Sequence, residues 1–202
     1  MAELVHVIDD DDAVRESLGF LLETSGWTVK LWPSAQAFLD AEPDSRQGCV
    51  ITDVRMPGLS GIDLAARLSS EPLAPPVIII TGHADVPLAV QAMKAGAVDF
   101  IEKPFEETCI LTTVRAAFDR VAGPYASVGE MSEVAQRIAN LSTRERQVLD
   151  GLVEGKPNKI LAHDLGISPR TVEVYRANVM TKMRASSLSE LVRMAILANR
   201  EG

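Results

Sequence analysis

The sequence is poor in cysteine and has no long apolar run. Cys49 and Cys109 are the only cysteines among 202 residues, and neither lies in a CxxC motif or near histidines at metal-ligand spacing. A disulfide framework and a structural zinc site are therefore not expected. No apolar stretch approaches the roughly 18 residues that cross a bilayer, and no secretion signal opens the chain, so we expect a cytoplasmic protein.

Charge is distributed unevenly between two parts of the chain. Hydrophobic residues make up 47% and charged residues 24%, which is the composition of a folded protein, and the length suits two small domains. Residues 1–123 contain 9 basic and 19 acidic side chains, whereas residues 124–202 contain 11 basic and 9 acidic ones. The segment 156–184 has 6 basic and 2 acidic residues. This asymmetry predicts different partners for the two parts, and the second part is the one suited to a polyanion.

Apolar segments alternate with helical patterns over the first 122 residues. Five apolar segments of strand length occur at residues 4–8, 28–32, 49–52, 77–81 and 98–101. Helical spacing of apolar residues follows each of them, in segments that begin after the acidic run at 9–12 and near residues 34, 62, 86 and 106. The alternation predicts an α/β fold, a five-stranded parallel sheet with five helices, in which ligands bind beyond the carboxyl ends of the strands.

The alternation stops after residue 122, where Gly123 and Pro124 interrupt the helical pattern. Weak helical spacing returns over residues 131–141, so we predict a partly helical linker at residues 123–140. Four further helices are predicted at residues 143–153, 159–165, 169–183 and 188–197. The predicted domains are therefore residues 1–122, which contain the sheet, and residues 141–202, which are all-α.

Polar side chains with complementary chemistry follow the predicted strands. Asp9 and Asp10 follow the first strand, Asp53 the third, Thr81 the fourth and Lys103 the fifth. Carboxylates that meet at one edge raise one another's pKa unless a cation lies between them, and oxygen ligands suit Mg²⁺. A carboxylate beside Mg²⁺ can attack a phosphoryl group, while an ammonium and a hydroxyl stabilise the transferred oxygens. These residues predict a magnesium site in which Asp53 is the nucleophile.

The spacing of these residues resembles the receiver domain of two-component response regulators. The resemblance covers residues 3–122 and rests on the Asp9-Asp10 pair, the segment 53–61 (DVRMPGLSG), the segment 81–83 (TGH) and the segment 103–105 (KPF). It implies a flavodoxin-like domain in which a sensor histidine kinase phosphorylates Asp53.

The resemblance also implies a role for each residue around Asp53. The residues that would bind Mg²⁺ are Asp10, Asp53 and the carbonyl of Arg55 directly, and Asp9 through water. The residues that would bind the phosphate and switch are Thr81, Phe100 and Lys103. The Lys103–Pro104 peptide bond would be cis, which proline permits at low energy.

An aspartyl-phosphate hydrolase is the competing enzyme class, because it also uses a strand-end aspartate and Mg²⁺. Such enzymes place a second aspartate two residues after the nucleophile as general acid and base, and Arg55 occupies that position here. Without a base to activate water, a phosphoryl group on Asp53 is expected to persist as a signal. The chain also lacks the glycine-rich loop of ATPases, so we predict a regulator and not an enzyme.

The second part of the chain contains a helix-turn-helix pattern. Residues 158–165 and 169–183 are joined by a tight turn, and Pro169 suits the first position of the second helix. The residues of that helix that are predicted to face the core are Val172, Tyr175, Val179 and Met183. The opposite side is predicted to enter a DNA major groove.

The groove-facing residues have distinct predicted contacts. Glu173 would accept a hydrogen bond from a cytosine amino group, Val174 would touch a thymine methyl, and Asn178 would lie near a base edge. The residues predicted to bind phosphates are Lys159, Arg170, Thr171 and Arg176. A helix of a small bundle that binds another protein has a similar polar face, so that alternative stays open at this point.

This part resembles the four-helix LuxR-type DNA-binding domain over residues 141–198. The resemblance rests on residues 141–145 (LSTRE), Asn158-Lys159, residues 168–174 (SPRTVEV) and residues 191–195 (LVRMA). A receiver joined to this domain is the architecture of the NarL/FixJ family. Residues 96–105 and 168–174 are most similar to its FixJ branch.

That architecture implies a transcription regulator whose partners are double-stranded DNA, a sensor histidine kinase and RNA polymerase. Phosphorylation would shift the receiver between two states, and the active state would form a homodimer through residues 86–95 and 100–102. The FixJ resemblance implies activation of oxygen-responsive or nitrogen-fixation genes. The alternative is a magnesium-dependent signalling module whose helical domain binds protein instead of DNA.

Overall fold

The computed structural model describes residues 3–42, 46–72, 74–83, 85–122 and 128–199. By its contacts the chain divides into two compact units, residues 1–84 with 95–124, and residues 85–94 with 125–202. The domain boundaries predicted at residues 122 and 141 stay predictions, and the predicted break at Gly123 and Pro124 lies outside the described residues. Within the described ranges, no helix combines the length and the apolar character that a membrane span requires.

The first unit contains a parallel sheet of five strands. The strands are β1 (Leu4–Ile8), β2 (Thr28–Trp32), β3 (Cys49–Asp53), β4 (Val77–Thr81) and β5 (Asp99–Glu102), in the spatial order β2-β1-β3-β4-β5. The helices that follow the strands along the chain are α1 (Asp12–Thr24), α2 (Ala35–Leu39), α3 (Gly61–Leu68), α4 (Val86–Lys94) and α5 (Glu107–Ala122). The predicted α/β fold with five strands and five helices is confirmed.

The core of this unit lies between the sheet and its helices. Every residue of β3 and β4 is buried, as expected for central strands that are covered on both faces. One face of the sheet packs against α1 and α5 in a cluster that includes Val7, Ile51, Ile78, Leu22 and Ile110. Burying each such side chain contributes about 1.5–3 kcal/mol, and this packing holds the strand ends in fixed positions.

The second unit is helical. Besides α4 it contains α6 (Val128–Ala139), α7 (Thr143–Val153), α8 (Asn158–Leu165), α9 (Pro169–Met183) and α10 (Leu188–Asn199). Its buried cluster joins α7, α8, α9 and α10 through residues that include Leu149, Leu161, Val172, Val179 and Leu191. Val134 and Ile138 of α6 also pack against this cluster, so the helix predicted within the linker belongs to the helical core.

Candidate functional site

Three predicted side chains meet at the carboxyl edge of the sheet. Asp9 follows β1, Asp53 ends β3, and Lys103 follows β5, where its backbone N–H donates to the carbonyl of Thr81 at 2.7 Å. The Lys103 Nζ donates to Asp9 Oδ2 and to Asp53 Oδ1, each at 2.8 Å. One ammonium therefore neutralises two carboxylates that come from the neighbouring strands β1 and β3.

Both carboxylates are held away from solvent and are fully hydrogen-bonded. The side chains of Asp9 and Asp53 are 3% and 11% exposed. The second oxygen of Asp9 accepts from the backbone N–H of Asp11 at 3.0 Å, and the second oxygen of Asp53 accepts from that of Arg55 at 2.5 Å. Each oxygen of both carboxylates therefore accepts a hydrogen bond from a fixed donor.

The charge on Lys103 is stabilised by the same contacts. Burial alone would lower the pKa of its ammonium, but the hydrogen bonds and the negative charges of Asp53 and Asp9 outweigh it. The pKa of Lys103 consequently lies above its ordinary value. Lys103 is therefore a permanent cation beside Asp53, as a residue that binds phosphoryl oxygens must be.

The other predicted receiver residues surround this cluster at different depths. Asp10 is exposed and Phe100 is half-buried on β5. Thr81 is buried, and its hydroxyl accepts a hydrogen bond from the backbone N–H of His83 at 3.3 Å. The Lys103–Pro104 peptide bond is cis, which confirms that expectation.

Two further residues that shape this edge could not be predicted from the sequence. Arg15 of α1 donates from Nη1 to the backbone carbonyl of Asp9 at 2.6 Å and so fixes the end of β1. Gly61, the first residue of α3, packs so closely that an added Cβ would lie 2.1 Å from the carbonyl oxygen of Asp53. Both contacts depend on how helices dock on the sheet, which neither periodicity nor spacing encodes.

The donor set fits a hard divalent cation. In the described part of the chain, no three Asp, Glu, His or Cys side chains lie close enough to hold a metal by themselves. However, the side chains of Asp9 and Asp53 both contact the Lys103 ammonium, and the atoms that they offer to a metal ion are carboxylate oxygens. Oxygen donors of this kind suit Mg²⁺, which binds through one or two carboxylates and keeps several waters.

The second candidate site is built on α8 and α9. Gly166 ends α8 in the left-handed conformation, with φ 65° and ψ 35°, and this turns the chain sharply. Ser168 then caps α9, because its hydroxyl accepts from the backbone N–H of Thr171 at 3.1 Å, and Pro169 occupies the first helical position. The predicted helix-turn-helix is therefore present.

The two sides of α9 differ as predicted. Val172, Val179 and Met183 are completely buried, and Tyr175 packs against the same core. The exposed residues on the other side are Arg170, Glu173, Val174, Ala177 and Asn178, while Thr171 and Arg176 are half-buried at its margins. Val174 is 57% exposed and Ile160 of α8 is 49% exposed, so two apolar side chains lie in solvent near the helix-turn-helix. Val174 is predicted from the sequence to touch a thymine methyl group, whereas no DNA contact is predicted for Ile160.

Basic side chains of the helical unit fall into two groups. Arg137, Arg146, Lys156 and Lys182 each form an ion pair with an acidic residue. Within residues 128–199, the basic side chains that have neither a hydrogen bond nor an ion pair are Lys159, Arg170, Arg176 and Arg184. Unpaired cations near one helix form an electrostatic surface for a polyanion.

Comparison with known proteins defines the class. Residues 5–115 match the family described as "Response regulator receiver domain", and residues 139–195 match "Bacterial regulatory proteins, luxR family". The chain belongs to the response regulators that join a receiver domain to a LuxR-type DNA-binding domain. It is thus a phosphorylation-dependent transcription regulator, and the predicted family and function are confirmed.

Among its relatives are proteins named FixJ. The transcriptional regulatory protein FixJ of Azorhizobium caulinodans is 62% identical over 194 residues, which cover 96% of this chain and 92% of that protein. FixJ of Rhizobium meliloti is 53% identical over 95% of this chain and 94% of its own length. The crystal structure of full-length FixJ from B. japonicum covers 98% of each chain with a TM-score of 0.55 at 52% identity.

Proposed function

We propose that Asp53 is the residue that accepts the phosphoryl group, and that a sensor histidine kinase donates it. The observation that carries this proposal is the Lys103 ammonium, which lies 2.8 Å from both Asp53 and Asp9 at the carboxyl edge of the sheet. Asp53 Oδ forms a bond to phosphorus while the bond from phosphorus to the donor's histidine nitrogen breaks. Lys103 then pairs with the phosphoryl oxygens, and the Thr81 hydroxyl donates a hydrogen bond to them.

Mg²⁺ is the proposed cofactor of this step. The residues that would hold it are Asp9, Asp10, Asp53 and the carbonyl of Arg55. When bound, Mg²⁺ supplies positive charge to the transferred oxygens. The Asp9 side chain is held in place by its amide and lysine contacts, so the chain needs little rearrangement to present it.

We further propose that the protein signals and does not turn over substrate. The residue two positions after Asp53 is Arg55, whose side chain is exposed and carries no base. No general base in that position activates water for attack on the phosphoryl group, which supports slow hydrolysis and a phosphoryl group that persists. Phe100, half-buried on β5, is the proposed switch partner of Thr81.

The proposed DNA contacts follow the two sides of α9. Glu173, Val174 and Asn178 are exposed and are proposed to read bases. Lys159, Arg170 and Arg176 have no partner within the described residues, which supports their assignment to phosphates. Thr171 is also assigned to phosphate, and its hydroxyl lies 2.8 Å from that of Ser168 at the helix start.

The proposed biological role extends to partners and targets. A cytoplasmic homodimer would form on phosphorylation and recruit RNA polymerase, and the relatives named FixJ support oxygen-responsive or nitrogen-fixation genes as targets. The proposed domains are the receiver at residues 1–122, the linker at 123–140 and the DNA-binding domain at 141–202. Dimerisation would make phosphorylation raise the affinity for DNA, because two DNA-binding domains bind neighbouring half-sites together.

The test compares wild type with Asp53→Asn in gel shifts on genomic fragments, with acetyl phosphate and Mg²⁺ present or absent. We expect the donor to add one phosphoryl group to wild type by intact mass and to strengthen its shift, and to do neither for Asp53→Asn. Asp119→Asn on the exposed surface of α5 is the matched control and should behave as wild type. Equal shifts by both proteins in both conditions would overturn the switch. No shift of any fragment would instead favour a helical domain that binds protein.

A further inference from the structure

Arg184 ends α9 in a left-handed backbone conformation. Its φ and ψ are 55° and 38°, and it is the one non-glycine residue with positive φ in the described ranges. At the end of α8 the same conformation is adopted by Gly166. An L-residue is disfavoured in this region because its Cβ approaches a backbone carbonyl, whereas glycine has no Cβ. An arginine therefore occupies a position where glycine would adopt the required backbone conformation at lower energy.

The guanidinium of Arg184 is not part of the network of polar contacts within residues 128–199. The side chain is exposed and has no hydrogen-bond or ion-pair partner among residues 128–199. Its neighbours differ in this respect. Lys182 pairs with Glu145 at 2.7 Å, and the carbonyl of Met183 accepts from Arg137 at 3.3 Å. A disfavoured backbone conformation on a residue whose side chain makes no polar contact within residues 128–199 points to a function of that side chain.

Arg184 extends the exposed side of α9. At about 3.6 residues per turn, the Cα of Arg184 lies almost four turns after that of Arg170 and therefore near the same side of the helix. Within residues 128–199 it is also one of the four basic residues whose side chains have no hydrogen-bond or ion-pair partner, and the other three are the proposed phosphate contacts Lys159, Arg170 and Arg176. In helix-turn-helix complexes the first turns of the second helix contact base edges, so its last turn is nearest to the backbone that borders the groove.

We propose that Arg184 binds a phosphate of the DNA backbone where α9 leaves the major groove. This inference rests on the proposed DNA binding and adds a fourth cation to the phosphate-binding set. The contact positions the helix and carries no sequence information, because every base step presents the same phosphate. Each such contact contributes to the salt dependence of binding through counterion release.

The test measures fluorescence anisotropy of full-length phosphorylated protein on two labelled duplexes, one of random sequence and one that wild type selects from a random pool. Arg184→Gly should bind both duplexes more weakly by a similar factor, roughly 10-fold for each bound chain, as for the loss of one charge-assisted hydrogen bond. The slope of log K against log salt concentration should fall by about 0.9 for each bound chain. Its melting temperature should not decrease, because glycine adopts this backbone conformation freely.

Two further variants separate the contact from a general effect of charge. Arg184→Lys keeps the charge and should keep the salt slope of wild type. Arg146→Gln on α7 removes one positive charge that is paired with Asp150 at 3.0 Å, and should leave the slope unchanged.

Several results would overturn the assignment. They are an unchanged slope in Arg184→Gly, an equal loss of slope in Arg184→Lys or Arg146→Gln, and a loss of affinity confined to the selected duplex. Failure of wild type to bind either duplex would refute the proposed DNA binding itself. That outcome is distinct, because it is seen before any variant is compared.

Discussion

At the scale of single residues, the sheet unit contains a buried histidine whose tautomer is fixed by its neighbours. The indole Nε1 of Trp32 donates to His6 Nδ1 at 3.1 Å, and His6 Nε2 lies 3.0 Å from the carbonyl of Gln47. An indole N–H can only donate and a carbonyl can only accept, so the proton of His6 must be on Nε2. His6 is completely buried and neutral. Its tautomer could not be predicted from the sequence, because Trp32 and Gln47 become neighbours only in the folded sheet.

This histidine makes stability depend on pH. Burial lowers the pKa of His6 below 6.5, the charge of Lys30 lowers it further, and the hydrogen bond to Gln47 opposes both. The unfolded chain therefore binds a proton near pH 6.5 that the folded chain does not. The stabilising contribution is complete above that pH, and it is lost as the pH falls from 6.5 towards the folded pKa.

We expect the free energy of unfolding to fall between pH 7.5 and 5.5, by at most about 1.4 kcal/mol per pH unit. The measurement is urea unfolding followed by tryptophan fluorescence, which reports on this unit because both tryptophans, Trp27 and Trp32, lie in it. His6→Asn should be less stable at pH 7.5 but should lose less stability over that pH range. An equal loss in both proteins would assign the pH dependence to other groups.

At the scale of elements, much of the architecture could be predicted because periodicity reports burial directly. The strands β1, β2 and β4 have the predicted ends, since each is an apolar run closed by a polar or turn residue. The fifth strand was predicted at residues 98–101 and lies at 99–102; Val98, just before it, packs on the core and donates a backbone hydrogen bond to the carbonyl of Val77 at 2.8 Å. The docking of α6 was not predicted, since its apolar spacing is weak and its partners lie on other helices.

The close approach of α3 to the end of β3 is one contact that the sequence did not reveal, and it can be tested. Gly61→Ala should lower the free energy of unfolding by about 1–3 kcal/mol, because the new Cβ would overlap the Asp53 carbonyl and force the strand end or the helix to shift. The same shift should slow phosphorylation of Asp53 by acetyl phosphate. Gly82→Ala is the control, since an added Cβ there meets open space. Comparable destabilisation by both substitutions would show that overlap with the Asp53 carbonyl is not the reason for the loss of stability at position 61.

At the scale of the whole molecule, the unequal charge of the two parts suits a regulator that meets a kinase with one part and DNA with the other. The positions of the proposed site residues at strand ends and on one side of α9 could be predicted from periodicity, whereas the switch role of Phe100 followed from the family resemblance alone. The pairing of charges could not, since it depends on which side chains lie within reach after folding. Lys182 and Arg184 are both basic and are two residues apart, yet one is bound to Glu145 and the other has no partner in residues 128–199.

The coupling of phosphorylation to assembly can be measured on the intact protein. We expect light scattering after size-exclusion chromatography to give the monomer mass without a phosphoryl donor and about twice that mass with acetyl phosphate and Mg²⁺, as for a closed two-fold dimer. Asp53→Asn should remain monomeric under both conditions. A phosphorylated protein that stays monomeric at every concentration tested would contradict the proposed mechanism of activation.

The ion pair between Lys103 and Asp9 joins positions separated by 94 residues. A growing polypeptide that has emerged from the ribosome only as far as β4 already contains Asp53, but it lacks the cation that completes the pocket. A chain truncated after β4 therefore cannot form the ion pairs that hold Asp9 and Asp53 together in the complete protein.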